Sequence, residues 1–158
     1  MPSLSILIGT LAAVGLALGV GVACRSKDCA EPPVIELDVR DLGQASQSRV
    51  REQRVVVARD AQAWSQLWSE HSGLQLPSSP APEVDFTREM VVAVFLGERP
   101  TGGFEVHIDS VTSTPVALVV KASSTAPNPD AMVTQALTAP MHAVAVPQTD
   151  GEPALALE

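Results

Sequence analysis

Met90-Val91-Val92-Ala93-Val94-Phe95-Leu96 is an unbroken apolar run of strand length, rich in β-branched residues. It is too short for an ordinary buried helix, and its composition suits a pleated strand. A strand that is apolar on both faces must be covered on both, so the run predicts a central, fully buried strand. Downstream, Phe104, Val106 and Ile108 alternate with Glu105, His107 and Asp109. That is the period of a strand with one wet face. Residues 116–120 read as a further strand after Pro115, and Pro140 divides 132–146 into two short segments. Residues 154–157 leave room for a last short strand.

Upstream of the run, Ile35, Leu37 and Val39 alternate with Glu36, Asp38 and Arg40, and residues 49–59 carry Val50 and Val55 to Val57. Both read as strands. Asp60 offers an N-cap oxygen, Ala61, Trp64, Leu67 and Trp68 follow at helical spacing, and Gly73 is a plausible stop. Both tryptophans lie on the apolar face of this helix, which suits packing on a sheet. Residues 41–48, 76–82 and 122–130 read as loops, the second because of its prolines. The links are too short for parallel crossovers, so antiparallel pairing dominates. The expected class is α+β, mostly β: a predominantly antiparallel sheet of six or seven strands covered by one amphipathic helix.

At 158 residues and net charge −8, the chain is one ordinary domain and a poor ligand for a phosphate backbone. It has no tyrosine and few other aromatics, which leaves little for base stacking. Nucleic acid is therefore not an expected partner. None of its charged residues precedes Arg25, and residues 4–23 are apolar apart from Thr10. Such a stretch at an N-terminus reads as an export signal. It ends in Gly21-Val22-Ala23-Cys24, which resembles the lipobox of bacterial lipoproteins, where the cysteine is acylated and the chain is cut before it. The resemblance implies a lipid on Cys24. Cleavage without acylation and retention as an N-terminal anchor remain open. The resulting division is a signal peptide at 1–23, a tether at 24–33, a β-rich domain at 34–147 and a tail at 148–158.

Catalytic signatures are scarce. There is no G-x-S-x-G, H-E-x-x-H, P-loop or dinucleotide turn. Cys24 and Cys29 both precede the body, so it has no cysteine nucleophile. His71 reads as a solvated cap near the helix end. His107 shares the wet face of its strand with Glu105 and Asp109, which reads as a solvated sheet face rather than a metal site. His142 follows Pro140. No cofactor or metal is implied, and the chain reads as non-enzymatic.

The sharpest local feature is Gly97-Glu98-Arg99-Pro100-Thr101-Gly102-Gly103-Phe104. Proline fixes one φ and the two glycines open conformations closed to other residues. This predicts a rigid, exposed hairpin loop, with Arg99, Pro100, Thr101, Gly102 and Gly103 as candidate partner-binding residues at its tip. Phe104 begins the inward face of the next strand.

Asp85-Phe86 followed by the buried run, the Arg99-Pro100-Thr101-Gly102-Gly103-Phe104 turn and the later Val133-Thr134-Gln135-Ala136-Leu137-Thr138-Ala139-Pro140 together resemble the PrcB C-terminal domain family. The likeness extends over about residues 64–146. The family usually has tyrosine where Phe104 and Met141 stand, so two phenolic hydroxyls are missing here. The resemblance implies an exported, lipid-anchored protein of the bacterial envelope, on the outer membrane or periplasmic face in a diderm cell. The family takes its name from a surface lipoprotein that accompanies a secreted protease and aids its maturation or assembly. The leading expectation is thus a non-catalytic accessory module that binds a protein partner, such as a secreted protease. The alternatives are an exported protease inhibitor using the 99–104 loop, which resembles the Pro-Thr-Thr-Gly-aromatic loop of chagasin-type inhibitors, and a hydrolase built on His107 or His142.

Overall fold

Two faces of the Met90 run require two covers, and the fold supplies a second sheet for one and a helix for the other. The computed structural model describes residues 33–73 and 80–158. The leader, Cys24, Cys29 and most of the 76–82 loop lie outside them. The elements are β1 (Ile35–Glu36), β2 (Arg40–Ala45), β3 (Arg54–Ala58), α1 (Ala61–Ser72), β4 (Glu89–Phe95), β5 (Glu105–Ser113), β6 (Ala117–Thr125), β7 (Met141–Pro147) and β8 (Glu152–Leu157).

The strands form two four-stranded sheets, ordered β1-β5-β6-β8 and β2-β7-β4-β3. All neighbours are antiparallel except β6 and β8, which run parallel. The α+β, mostly β class with one covering helix is as expected. The strands, however, divide between two packed sheets instead of sharing one.

β4 shows why. Met90, Val92 and Val94 point between the sheets, where Val106, Ile108, Val111, Leu118, Val120, Val144 and Val146 meet them. Val91, Ala93 and Phe95 point the other way and meet Trp64 and Leu67 of α1. β7 is the second strand buried on both faces, with Met141 and Ala143 under the helix. The small side chains of Ala93 and Ala143 leave room for the bulkier groups of α1 in a close-packed layer. The Asp60 carboxylate caps α1 by accepting the Ala63 N–H at 2.8 Å, and Gly73 ends it. Trp64 is buried and donates its indole N–H to the Pro82 carbonyl at 3.1 Å.

Four local readings are corrected. Residues 41–48 were expected as a loop, but β2 runs through Ala45, because an edge strand packed on one side needs few apolar residues. The alternation at 35–39 is not one strand. The chain leaves β1 and crosses to the other sheet, with Leu37 and Val39 turned to the core. β6 continues through Ala122–Thr125 where a loop was expected, since it pairs with β5 there. Of the two segments expected around Pro140, only the second is a strand.

Because Trp64 sits where α1 meets β4 and β7, Trp64→Ala should destabilise the domain by roughly 3–5 kcal/mol. Trp64→Phe, which loses chiefly the indole hydrogen bond and part of the ring, should cost clearly less. Urea unfolding of both variants checks the ranking.

Candidate functional site

The connection after β4 cannot be a hairpin, because β4 and β5 belong to different sheets. Residues 96–104 cross one end of the sandwich, and the 131–138 stretch lies against them. Arg99 and Thr138 exchange two backbone hydrogen bonds, at 2.7 and 3.0 Å. The Gly102 N–H donates to the Thr134 carbonyl at 2.8 Å, and the Thr138 hydroxyl donates to the Thr101 carbonyl at 2.7 Å. Ala139 N–H reaches the Ser46 carbonyl at 3.2 Å. The two motifs that were separate in sequence are thus one hydrogen-bonded structure.

This geometry corrects the picture of Arg99 as a free contact at a loop tip. Arg99 is half-buried, donates from Nη2 to the Leu96 carbonyl at 3.0 Å, and lies 6.0 Å from the centroid of the Phe104 ring. It braces the connection from within. Thr101 and Gly102 are also half-buried, while Pro100 and Gly103 are exposed. Phe104 packs against the inter-sheet core, as its place on the inward face requires. Gly103 has φ +83°, and a Cβ there would come within 2.9 Å of Pro127 Cβ and 3.1 Å of Val133 Cγ1. Gly102 has no such φ and a Cβ would meet Thr134 only at 3.4 Å.

The most exposed large apolar side chains at this end come from the pinned stretch: Met132 is fully exposed and Leu137 is 57% exposed. They were not among the expected site residues. A signal was present, since apolar residues in a stretch without helix or strand period have no core to enter. Gln44, Ala45, Ser46, Phe104 and Glu105 line a shallow cavity of about 190 Å³ where β2 ends and β5 begins.

Of the three histidines, His71 departs from its expected place. His71 is buried rather than a solvated cap, with Trp68 at 5.2 Å and Phe95 at 6.5 Å between ring centroids. His142 is buried between the sheets, and its Nδ1 accepts the Ile108 N–H at 2.8 Å. Gln44, its cross-strand partner on β2, donates to the Val106 carbonyl. β1 pairs with β5 only at Thr112 and Ser113, so the β5 edge at 106–108 lacks a neighbouring strand. Gln44 and His142 stand in for it, because buried backbone groups need partners. A β-bulge between Asp41 and Gly43, closed by Gly43 N–H on Asp41 Oδ1 at 2.7 Å, brings Asp41 to 3.4 Å from His142 Nε2. His107 stacks on His142 at 4.7 Å, while Glu105 and Asp109 remain exposed. Among the described residues no group of three or more His, Cys, Asp or Glu is placed to hold a metal ion.

An imidazole that accepts a backbone N–H through Nδ1 must carry its single proton on Nε2. Burial holds the His142 pKa below its ordinary value, with His107 acting in the same direction and Asp41 and Asp109 opposing. Burial lowers that of His71 as well. A second proton on His142 would set a donor against the Ile108 N–H.

The described residues therefore make a β-sandwich with a helix on one face and a structured, partly apolar loop surface at one end. Residues 90–147 match the family model for the PrcB C-terminal domain, which bears out the resemblance. The match begins later than the sequence likeness and covers β4 to β7, the two inner strands of each sheet. Comparison with curated proteins and with solved structures gives no match.

Two outcomes test this description. Gly103→Ala should cost about 1–3 kcal/mol of stability and Gly102→Ala distinctly less, as read by urea unfolding. For the histidines, the unfolded chain protonates near pH 6.5 while the fold resists it, so stability is full above about pH 7 and declines as pH falls below 6.5. Thermal melts between pH 7.5 and 5 should show this decline, and His142→Gln should make it shallower. Asp85 and Glu89, whose pKa values are lowered by hydrogen bonds from Thr87 and Arg40, add stability that is lost only as pH falls through the ordinary carboxylate range and below it, outside the histidine window.

Proposed function

We propose that the chain is a non-catalytic accessory module of the bacterial envelope, exported and tethered by a lipid on Cys24, that holds a protein partner with the loop end of its sandwich. The observation that carries the reading is the joining of both family motifs into one surface through the Arg99–Thr138 and Gly102–Thr134 bonds. Rigid loops on a sheet scaffold are common recognition elements. Here the scaffold spends many hydrogen bonds to present Met132 and Leu137 to solvent rather than to a core. The family match supports a role in a protease complex at its coarsest, and a secreted protease is the partner this reading favours.

The histidines support structural roles. His142 has both ring nitrogens turned to protein groups, and His107 lies flat against it. A hydrolytic site on His142 would need one of those nitrogens free to face a substrate. An inhibitor acting through 99–104 would need a projecting hairpin tip, whereas the Arg99 side chain and the Thr101 carbonyl are turned into the connection.

A photocrosslinking amino acid at position 132, in cells carrying the full chain, should trap a secreted protease. Met132→Ser with Leu137→Ser should weaken recovery of that partner about tenfold or more while leaving the melting temperature nearly unchanged, because both side chains are exposed. Reproducible absence of any protein adduct at position 132 would refute the reading.

A further inference from the structure

The end of the sandwich opposite the loop surface carries its own apolar group. β5 and β6 are joined there by a tight turn in which Thr114 N–H donates to the Ala117 carbonyl at 2.9 Å. Val116 at its tip is 78% exposed. Ile35 is the register partner of Ser113, so the residues before it run beside this turn. Val34 is 65% and Ile35 58% exposed. Pro33, Ile35, Ser113, Thr114, Pro115, Thr149 and Asp150 line one shallow depression. Three of the five most exposed large apolar side chains among the described residues thus sit around a single rim.

That rim is also where the chain enters the domain. From Cys24 to Pro33 is nine residue steps, which span at most about 30 Å when fully extended. A lipid on Cys24 would therefore hold this end, and not the loop end, close to the bilayer. β5, running between the two ends, is nine residues long, or roughly 30 Å.

From this placement we infer that Val34, Ile35 and Val116 form a membrane-contacting rim that seats the domain on the headgroup–acyl boundary of a zwitterionic lipid surface. The inference rests on the tethered reading of Cys24. Glu36 and Asp150 beside the rim are exposed and acidic and outnumber Arg59, which donates to the Thr149 and Gly151 carbonyls there, so an anionic surface would repel it. Only three side chains are involved, which is too little for a free protein. A tether makes the encounter intramolecular, and a weak contact then suffices. Seated in this way, the rim points Met132 and Leu137 away from the membrane.

The full chain, processed in its host and reconstituted into phosphatidylcholine nanodiscs containing brominated acyl chains, tests the inference through V116W and, as a control from the opposite end, L137W. The native chain supplies the Trp64 and Trp68 background. V116W should be blue-shifted and lose roughly half its added emission to the bromolipid, as interfacial burial of about 5–10 Å requires, while L137W should be unaffected. Replacing part of the lipid with phosphatidylglycerol should reduce the V116W quenching. A chain that fails to co-migrate with the nanodiscs overturns the tether and the rim together. A chain that co-migrates with V116W unquenched overturns the rim alone. A V116W blue shift that depends on protein concentration rather than on lipid makes the rim a contact between copies and equally overturns the inference.

Discussion

The structure depends on one requirement: β4 is apolar on both faces and neither face can meet water. A single sheet backed by one helix would satisfy half of it. The second sheet satisfies the rest, and much of the fold's connectivity follows. The chain after β4 must leave its sheet to build the opposing layer, then return in β7 to lie beside β4. Two crossings between sheets at one end result, one before β5 and one before β7. The recognition surface proposed for this chain is made of those two crossings. It is a by-product of covering β4, given rigidity by the hydrogen bonds that satisfy backbone groups where no ladder is available.

How far this was legible follows from what each signal measures. Unbroken apolarity at 90–96 and the spacing of Trp64, Leu67 and Trp68 report burial directly, and both were read correctly. β2 was missed because Arg40-Asp41-Leu42-Gly43-Gln44-Ala45 has no strand period. Its place is set by pairing with β7 and by Gln44 reaching the open edge of β5, which are tertiary facts. The division into two sheets was hidden for a related reason. Alternation in 104–108 says that one face is buried, but not whether the neighbour is β4 alongside or β4 beneath. The Pro-Thr-Gly-Gly turn was recognised as special, yet its special feature is a connection between layers. Gly103 at φ +83° fits between Pro127 and Val133, residues distant in sequence.

His142 shows a buried polar group that specifies an arrangement. Replacing it by an apolar residue of similar size would fill the volume but leave the Ile108 N–H unpaired, a penalty comparable to a lost hydrogen bond. Together with Gln44 it ties the sheet carrying β7 to the open edge of β5 at one register. Apolar packing alone tolerates sliding. Two directed hydrogen bonds to Val106 and Ile108 do not. Burial is what chiefly resists protonation of the His142 ring, and the bond accepted from the Ile108 N–H suits the same uncharged form.

The family match covers only the inner strands of both sheets, and this bears on which parts of the chain can carry which role. Both segments of the loop surface, 97–103 and 131–138, fall within it. The rim at the other end does so only in part: Val116 lies inside the matched stretch, whereas Val34 and Ile35 lie outside it, at the start of the described residues. β5, β6 and α1 cover the two faces of β4, whereas β3 and β7 pair along its edges. The proposed recognition through the loops therefore belongs to the stretch that matches the family model, while the proposed seating on a surface draws on residues before it. The two proposed contacts occupy opposite ends of β5 and share no side chain, so either can be removed with the other left in place.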